Sequence, residues 1–199
     1  MKYVAFASFA LALVISAPAA AQNFNGPSVG AQVGWSHDDI RGPKTDLGTL
    51  PVQARKDSAT VGGFAAYDKE IGRFVIGGEL GFMLGASDTA TASGGGATYS
   101  IDPRRSFDAS LRGGYLINPK TLVYGRAGYT NERFRTTVNT GATSVIHSQD
   151  RDGWTLGAGV ERVIIPHVSA RVEYRYADLS DGTGKWDRHQ VLTGIAYRF

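Results

Sequence analysis

Four histidines and the acids beside them are the residues that could do chemistry in this sequence. His37 precedes Asp38 and Asp39, and His189 follows Asp187 by two positions. Imidazole and carboxylate groups can ligate a metal ion or respond to pH. These residues do not keep the fixed spacing of a metal motif, so ordinary polar residues are the simpler interpretation, and we predict no metal site.

A nucleophile and a base could be assembled on paper from Ser180, Asp178, Asp181 and His189. Serine and aspartate are also ordinary turn residues, and they lie here in a Ser-Asp-Gly-Thr-Gly sequence. The spacing does not fix the geometry that a nucleophile and its base need. An enzyme is therefore kept only as an alternative, and we predict no catalytic residues and no cofactor.

Apolar residues recur at every second position from residue 28 onward, the spacing that sends successive side chains to opposite faces of a β-strand. Eight segments show this pattern: 28–36, 59–68, 73–85, 106–116, 121–130, 153–162, 167–177 and 189–199. Long polar connections at 37–58, 86–105, 131–152 and 178–188 alternate with tight turns at 69–72, 117–120 and 163–166. The pattern predicts an all-β fold, an eight-stranded antiparallel up-and-down β-barrel with all its long loops at one end.

The two faces of these segments differ in chemistry. One face is apolar, and the other carries eight charged residues, here called the interior charge network: Glu79, Arg112, Arg126, Glu161, Arg171, Glu173, Arg175 and Arg198. Such charges do not suit a cavity for an apolar ligand, but they can fill the narrow interior of eight strands by pairing with each other. The apolar face must then meet lipid, which predicts a transmembrane barrel with a plugged interior. A narrow ion channel is the first alternative, because charged rings also line selective pores.

Aromatic residues form two belts along the predicted strands. Tyr67, Phe74, Tyr115, Tyr197 and Phe199 lie near the short turns, whereas Trp35, Phe82, Phe107, Tyr129, Trp154 and Tyr176 lie near the long loops. Outer-membrane barrels place such belts at the two membrane interfaces. The belts therefore support the lipid-facing assignment of the apolar face.

Composition excludes several other classes of protein. The chain has 199 residues, 26 glycines, no cysteine and a net charge of +3 that is mixed in sign along its length. The glycines exclude a coiled coil, and the mixed charge argues against nucleic acid as a partner. Residues 1–21 have the short basic start, apolar stretch and small-residue end of a signal peptide. We predict two units, a signal peptide over 1–21 and an outer-membrane β-barrel domain over 22–199.

Three segments carry a family resemblance: Val172-Glu173-Tyr174-Arg175-Tyr176, Gly157-Ala158-Gly159-Val160-Glu161 and Gly194-Ile195-Ala196-Tyr197-Arg198-Phe199. With the eight-strand layout, they resemble the small outer-membrane β-barrel proteins of Gram-negative bacteria, in particular the opacity or surface-antigen-like group that includes porin-family members. The resemblance implies a structural protein of the cell outer membrane with exposed loops and short periplasmic turns. The C-terminal residues Val191, Ile195, Tyr197 and Phe199 resemble the signal read by the barrel-assembly machinery, which is then a partner during biogenesis.

Basic residues near the predicted outer rim are candidates for contacts with lipopolysaccharide phosphates. They are Arg104, Arg105, Arg133, Arg135, Lys185 and Arg188. Arginine binds phosphate through paired hydrogen bonds, although solvated loop charges explain these residues equally well. We predict a structural barrel whose surface loops contact lipopolysaccharide or external partners that the sequence does not identify.

Overall fold

The computed structural model describes residues 24–41, 44–45, 48–49, 53–85, 90–94, 97–139, 144–180 and 185–199. Eight long strands form the fold: β1 (Gly26–Arg41), β2 (Gln53–Ile71), β3 (Phe74–Gly85), β4 (Ala97–Asn118), β5 (Thr121–Asn139), β6 (Ser144–Ile165), β7 (Val168–Asp178) and β8 (Lys185–Arg198). Three short strands add to them: Lys44–Thr45 pairs with Gly48–Thr49, and Ala90–Gly94 pairs with the start of β4. The described residues contain no helix long and apolar enough to cross a membrane.

Each long strand pairs with its neighbours in sequence, and all pairs are antiparallel. The sheet closes because β1 also pairs with β8, with Val33 opposite Thr193. A closed sheet has no free edge along the paired length, which removes the main route to edge-to-edge aggregation. The prediction of an eight-stranded up-and-down β-barrel is confirmed.

Several strands are longer than the sequence pattern predicts. Residues 37–58, 86–105 and 131–152 are loops in the sequence-based prediction, but β2, β4, β5 and β6 run deep into these segments. The ladder continues there with polar pairs such as Thr98 opposite Asn139 and Arg133 opposite Asp150. Apolar alternation marks only the part of a strand that has one face in lipid. Beyond that part neither face is in contact with lipid, so the strand loses its apolar signal.

Tight two-residue turns join the strands at the other end of the barrel, as predicted. They are Gly72–Arg73, Pro119–Lys120 and Pro166–His167. Gly72 and His167 adopt left-handed backbone conformations, with φ of 64° and 66°. Histidine tolerates this region better than most side chains, and its ring here stacks on Tyr197 and donates a hydrogen bond to the carbonyl oxygen of Arg198 at 2.9 Å.

The outer face of the barrel is apolar and the inner face is polar. Leu111 and Ile195 are 76% and 62% exposed, whereas Glu161 on the inner face is only 1% exposed. Aromatic residues of both predicted belts also lie on the outer face, and several pair across strands, such as Phe74 with Tyr115. This arrangement is the reverse of a water-soluble barrel and is typical of a barrel whose solvent is lipid.

Candidate functional site

The barrel interior holds a balanced set of buried charges. Among the described residues it comprises seven arginines and seven carboxylates: Arg112, Arg126, Arg151, Arg171, Arg175, Arg188 and Arg198, with Asp38, Asp68, Glu79, Asp108, Glu132, Glu161 and Glu173. Asp187 is also buried, but it lies on the outward side of β8 beside Lys185. A buried charge is tolerated only when it is paired and hydrogen-bonded, and the equal numbers allow each of these charges an opposite partner.

Nearest the short turns, four strands contribute one charge each to a closed ring. Arg112 of β4 donates to Asp68 of β2 at 3.0 Å and to Glu161 of β6 at 2.9 Å. Arg198 of β8 donates to the same two carboxylates, at 3.2 Å and 2.5 Å respectively. Ser169 adds a hydrogen bond to Glu161 at 2.6 Å. The signs alternate around the ring, so each charge has two opposite neighbours and the ring spans the lumen.

The other four strands meet in the next layer. Arg171 of β7 donates to both carboxylate oxygens of Glu79 on β3, at 2.5 and 3.1 Å, and to the amide oxygen of Gln32 on β1 at 2.6 Å. Arg126 of β5 donates to Glu79 at 2.7 Å. Strands β3 and β7 are four positions apart in an eight-stranded ring, so they lie opposite each other. The Arg171–Glu79 pair therefore crosses the full width of the barrel.

A third group lies on the long-loop side of this layer. Arg175 donates to Glu173 at 2.7 Å and to Asp108 at 3.0 Å, and Arg126 donates to Asp108 at 2.6 Å. The hydroxyl of Tyr124 donates to Glu173 at 2.8 Å. Arg126 thus contacts carboxylates of two layers, which links the layers into one continuous interior charge network.

The outer end of the interior is closed by a cluster on β1, β5 and β8. Arg188 donates to both carboxylate oxygens of Glu132 and to Asp38 at 2.7 Å. The indole N–H of Trp186 donates to Asp38 at 2.8 Å, and this side chain is only 1% exposed. Arg151 lies over the Trp186 ring, 5.5 Å from its centroid.

The short-turn end is closed by apolar side chains instead. Phe24, which precedes β1, is fully buried with Val75, Leu116, Leu122 and Val163 in one cluster that also includes Tyr124. The guanidinium of Arg198 lies 4.5 Å from the centroid of the Phe24 ring. The charged layers thus have apolar side chains, here called the Phe24 cluster, on the short-turn side. On the long-loop side they have the group formed by Asp38, Glu132, Arg151, Trp186 and Arg188, here called the Trp186 cluster.

Inward-facing glycines make room for these side chains. A Cβ on Gly77 would lie 2.3 Å from a carboxylate oxygen of Asp68, and one on Gly81 would lie 2.5 Å from a carboxylate oxygen of Asp108. These two positions therefore need glycine because the charged side chains occupy the space that any Cβ would fill.

All eight residues assigned to the interior by sequence are buried and lie in these layers. The sequence-based assignment of interior charges missed Asp68, which completes the four-charge ring, and Asp108, which completes the third group. It also missed the interior position of the Trp186 cluster. The alternation of inward and outward positions could have identified these residues, because it continues at every second residue beyond the apolar part of each strand. Glu132 and Asp38 keep this alternation with Arg126 and Gln32.

The rim cations have different positions. The prediction that Arg188 contacts lipopolysaccharide at the rim is wrong. Arg188 is buried inside the barrel and binds Asp38 and Glu132, because it precedes the outward-facing His189 and so faces inward. Lys185 is exposed and pairs with Asp187 at 2.8 Å. Arg135 is half-buried. The side chain of Arg104 lies outside the described residues.

Arg105 and Arg133, like Lys185, lie exposed on the outer face. They are directly opposite each other on β4 and β5. Arg133 has Asp150 at 4.0 Å, and both side chains of that pair are about half exposed. Arg105 forms no ion pair with any described residue. Counting only the described side chains, the two arginines therefore have one counter-charge between them, and like charges opposite each other destabilise a sheet.

The histidines and the serine singled out by sequence have separate partners. His37 and His189 are opposite each other on β1 and β8, but the His37 ring bonds Asp57 at 2.7 Å and the His189 ring lies 2.6 Å from the Tyr174 hydroxyl. The Ser180 hydroxyl accepts a hydrogen bond from the backbone N–H of Trp186 at 3.2 Å, a loop-forming contact. Asp181 lies outside the described residues. In the described part of the chain, no three His, Asp or Glu side chains converge as a metal site.

The His37–Asp57 pair lies beyond the aromatic belt on the long-loop side. The hydrogen bond from His37 lowers the pKa of the Asp57 carboxyl below its ordinary value of 3.8. Both side chains are about half exposed, so water screens their interaction.

The C-terminal residues assigned to assembly share the outer face of β8. Val191, Ile195 and Tyr197 are exposed, and Tyr197 packs edge-on against Phe199 with ring centroids 5.1 Å apart. Their recognition by the assembly machinery stays a prediction.

A closed eight-stranded barrel with an apolar outer face, two aromatic belts and a charged interior defines an integral protein of the bacterial outer membrane. The model of the outer membrane protein beta-barrel domain family matches residues 7–199. The chain belongs to this family, and it is an outer-membrane protein.

Relatives with similar sequences are outer-membrane proteins of other bacteria. The 31 kDa outer-membrane immunogenic protein of Brucella melitensis is 27% identical over 214 residues, which cover 92% of this chain and 89% of that protein. The 22 kDa outer membrane protein of Rhizobium leguminosarum is 31% identical over 68% of this chain and 64% of its own length. The 25 kDa immunogenic protein of Brucella ovis is 34% identical over 50% of this chain, which spans about half of that relative (46%).

Solved structures show the same fold at low sequence identity. Ail of Yersinia pestis, in complex with the heparin analogue sucrose octasulfate, has a TM-score of 0.55 and 14% identity over 88% of this chain and 99% of its own. Neisserial surface protein A has a TM-score of 0.50 and 18% identity over 88% of this chain and all of its own. These likenesses concern the barrel fold alone.

Proposed function

We propose that this protein is a sealed, structural barrel of the outer membrane, whose outward strands and loops contact lipopolysaccharide or external partners. The observation that carries the proposal is the Arg171–Glu79 pair, which joins opposite strands of the barrel with two hydrogen bonds. A lumen crossed by a direct side-chain pair has no room for a water column at that level.

The layers on either side of this pair support the same proposal. The four-charge ring and the Trp186 cluster each join strands that are not neighbours, and the Phe24 cluster covers the short-turn end. Eight strands enclose a space that side chains can fill, whereas aqueous porins have roughly sixteen or more strands. The function of the barrel then lies on its outer surface, not in its lumen.

Potassium leakage from proteoliposomes tests the seal. We expect vesicles with the refolded wild-type protein to hold their potassium as well as protein-free vesicles do. The double variant Glu79→Ala/Arg171→Ala removes the spanning pair while keeping the interior neutral, and we expect it to stay sealed as well, because the four-charge ring, the Trp186 cluster and the Phe24 cluster still cross or cover the lumen. Leakage through the wild-type barrel would overturn the proposal and favour the channel alternative.

An activity assay tests the enzyme alternative separately. Purified protein incubated with lipopolysaccharide, phospholipid or peptide should leave each of them unchanged, and His189→Ala should behave as the wild type does. Turnover that is lost in His189→Ala would overturn the structural assignment.

A further inference from the structure

Two grooves lie one above the other on the lipid-facing side of β3, β4 and β5, and the upper one extends to β6. The upper groove, of about 450 Å³, lies at the outer aromatic belt and is lined by Phe82, Phe107, Asn131, Arg105 and Arg133, with Ser106 and Asp150 completing it. The lower groove, of about 440 Å³, lies further towards the membrane centre, and its lining includes Gly78, Leu80, Ala109, Leu111 and Ala127.

The upper groove is positively charged where an outer-leaflet headgroup would lie. Arg105 is directly opposite Arg133, and the Phe82–Phe107 pair lies at the next outward position along the strands, towards the membrane centre. Among the described residues, Asp150 is the one acid that lines the groove, and it is 4.0 Å from Arg133, so one positive charge of this set is left over. Two adjacent guanidinium groups are suited to a phosphate monoester, which can accept hydrogen bonds from both.

The lower groove is apolar, and it exists because small residues leave a depression in the lipid-facing surface. Ala127 lies opposite Leu111, and Gly125 lies opposite Gly113 at the next outward position. The glycines are not needed for internal packing, since a Cβ on Gly113 would meet nothing within 4 Å and one on Gly78 would meet only a backbone oxygen at 3.8 Å. The groove is therefore open space on the outside of the barrel.

The two grooves have the spacing of one lipid molecule. Leu111 lies six positions after Arg105 on β4, which is about 20 Å along a strand. At the usual strand tilt of about 40°, this length corresponds to about 15 Å of membrane depth, or one leaflet of hydrocarbon. A phosphate held at the top would place its acyl chain in the groove below.

We propose that this surface is a specific binding site for lipopolysaccharide, with a phosphate of its lipid anchor between Arg105 and Arg133 and an acyl chain in the groove over Ala109 and Ala127. Of the six rim cations that the sequence offers as contacts for lipopolysaccharide phosphates, this site uses Arg105 and Arg133. It rests on the proposed function only for the outward orientation of the long hairpins, and it is independent of whether the lumen conducts ions.

Lipid titration of the protein refolded in zwitterionic detergent micelles tests the site. The probes are purified lipopolysaccharide, the same lipid after enzymatic dephosphorylation, and phosphatidylglycerol. We expect the wild type to bind lipopolysaccharide more tightly than either of the others. Arg105→Gln/Arg133→Gln should weaken lipopolysaccharide binding by about tenfold or more, because it removes charge-assisted hydrogen bonds, and should not change binding of the dephosphorylated lipid.

Two further variants separate the parts of the site. Arg73→Gln/Arg162→Gln removes the same number of charges at the short-turn end, where both arginines are exposed, and should leave lipopolysaccharide affinity within about twofold of wild type. Gly78→Leu fills the acyl groove and should weaken binding of phosphorylated and dephosphorylated lipid alike. Gel mobility before and after boiling verifies that each variant is folded.

Equal binding of phosphatidylglycerol and lipopolysaccharide would overturn the proposal, as would equal losses in the two double-arginine variants. Either result would mean that the rim attracts anionic lipid without a defined site. Failure of this proposal leaves the potassium-leakage result unchanged, so it is distinguishable from failure of the sealed-barrel proposal.

Discussion

Replacing Glu79 with glutamine removes one carboxylate from the centre of the barrel without changing its size. Arg171 then keeps the Gln32 amide oxygen and the Phe64 ring, whose centroid is 3.5 Å from its guanidinium carbon, and the new amide oxygen can accept one hydrogen bond, but the second acceptor and the negative charge are lost. Arg126 is less affected, because it keeps Asp108 at 2.6 Å. One buried arginine therefore loses its counter-charge, which we expect to lower the free energy of unfolding by about 3 to 5 kcal/mol.

The assay is urea unfolding of the protein refolded in detergent micelles, followed by gel mobility of unboiled samples. Glu173→Gln is the internal control. Its main partner, Arg175, keeps Asp108 at 3.0 Å, so we expect a smaller loss of about 1 to 3 kcal/mol. If Glu79→Gln changes stability by less than about 1 kcal/mol, water screens the site and the interior is not dry.

Three further predictions concern the membrane face, the packing of the interior and the outer rim. Ile195→Arg should cost about 2 to 4 kcal/mol in vesicle-refolded protein, because the side chain faces the hydrocarbon. Gly81→Ala should lower the urea midpoint, whereas Gly113→Ala should leave it unchanged, since only the first Cβ collides with a buried carboxylate. An NMR titration should give Asp57 a pKa below 3.8, and His37→Ala should raise it.

Each of these predictions has a control and a contradicting result. Ile164→Arg near the short turns should cost only about 0 to 1 kcal/mol, and equal costs at Ile164 and Ile195 would contradict the assigned membrane depth. Equal midpoints for the two glycine variants would mean that the interior side chains can move aside. Because the pKa of Asp57 is lowered on folding, its pairing stabilises the fold above pH 3.8 and is lost as the pH falls through the lower value. If the pKa of Asp57 is the same in the wild type and in His37→Ala, the proposed effect of the His37–Asp57 pair is wrong.

Alternation along single strands made much of this fold predictable from sequence. The spacing of Val191, Thr193 and Ile195 fixes which side of β8 meets lipid, and the same rule places Arg198 inside. The lengths of β4, β5 and β6 were not predictable in this way, because polar strands beyond the membrane have no apolar face to mark them.

The pairing of the interior charges depends on the stagger between strands, which a single sequence does not determine. Arg171 and Glu79 are 92 residues apart, and they meet only because the closed barrel places β3 opposite β7. The position of Arg188 was missed for a simpler reason. It precedes the outward-facing His189 by one residue, and extending β8 by that residue places Arg188 in the interior.

Single-channel recording in planar lipid bilayers tests the central claim most directly. With pure, folded wild-type protein at low voltage, a lumen crossed by the Arg171–Glu79 pair predicts no steady conductance above that of the bare bilayer. A steady, ion-selective conductance would contradict the claim, because ions would then pass the level at which this pair closes the barrel.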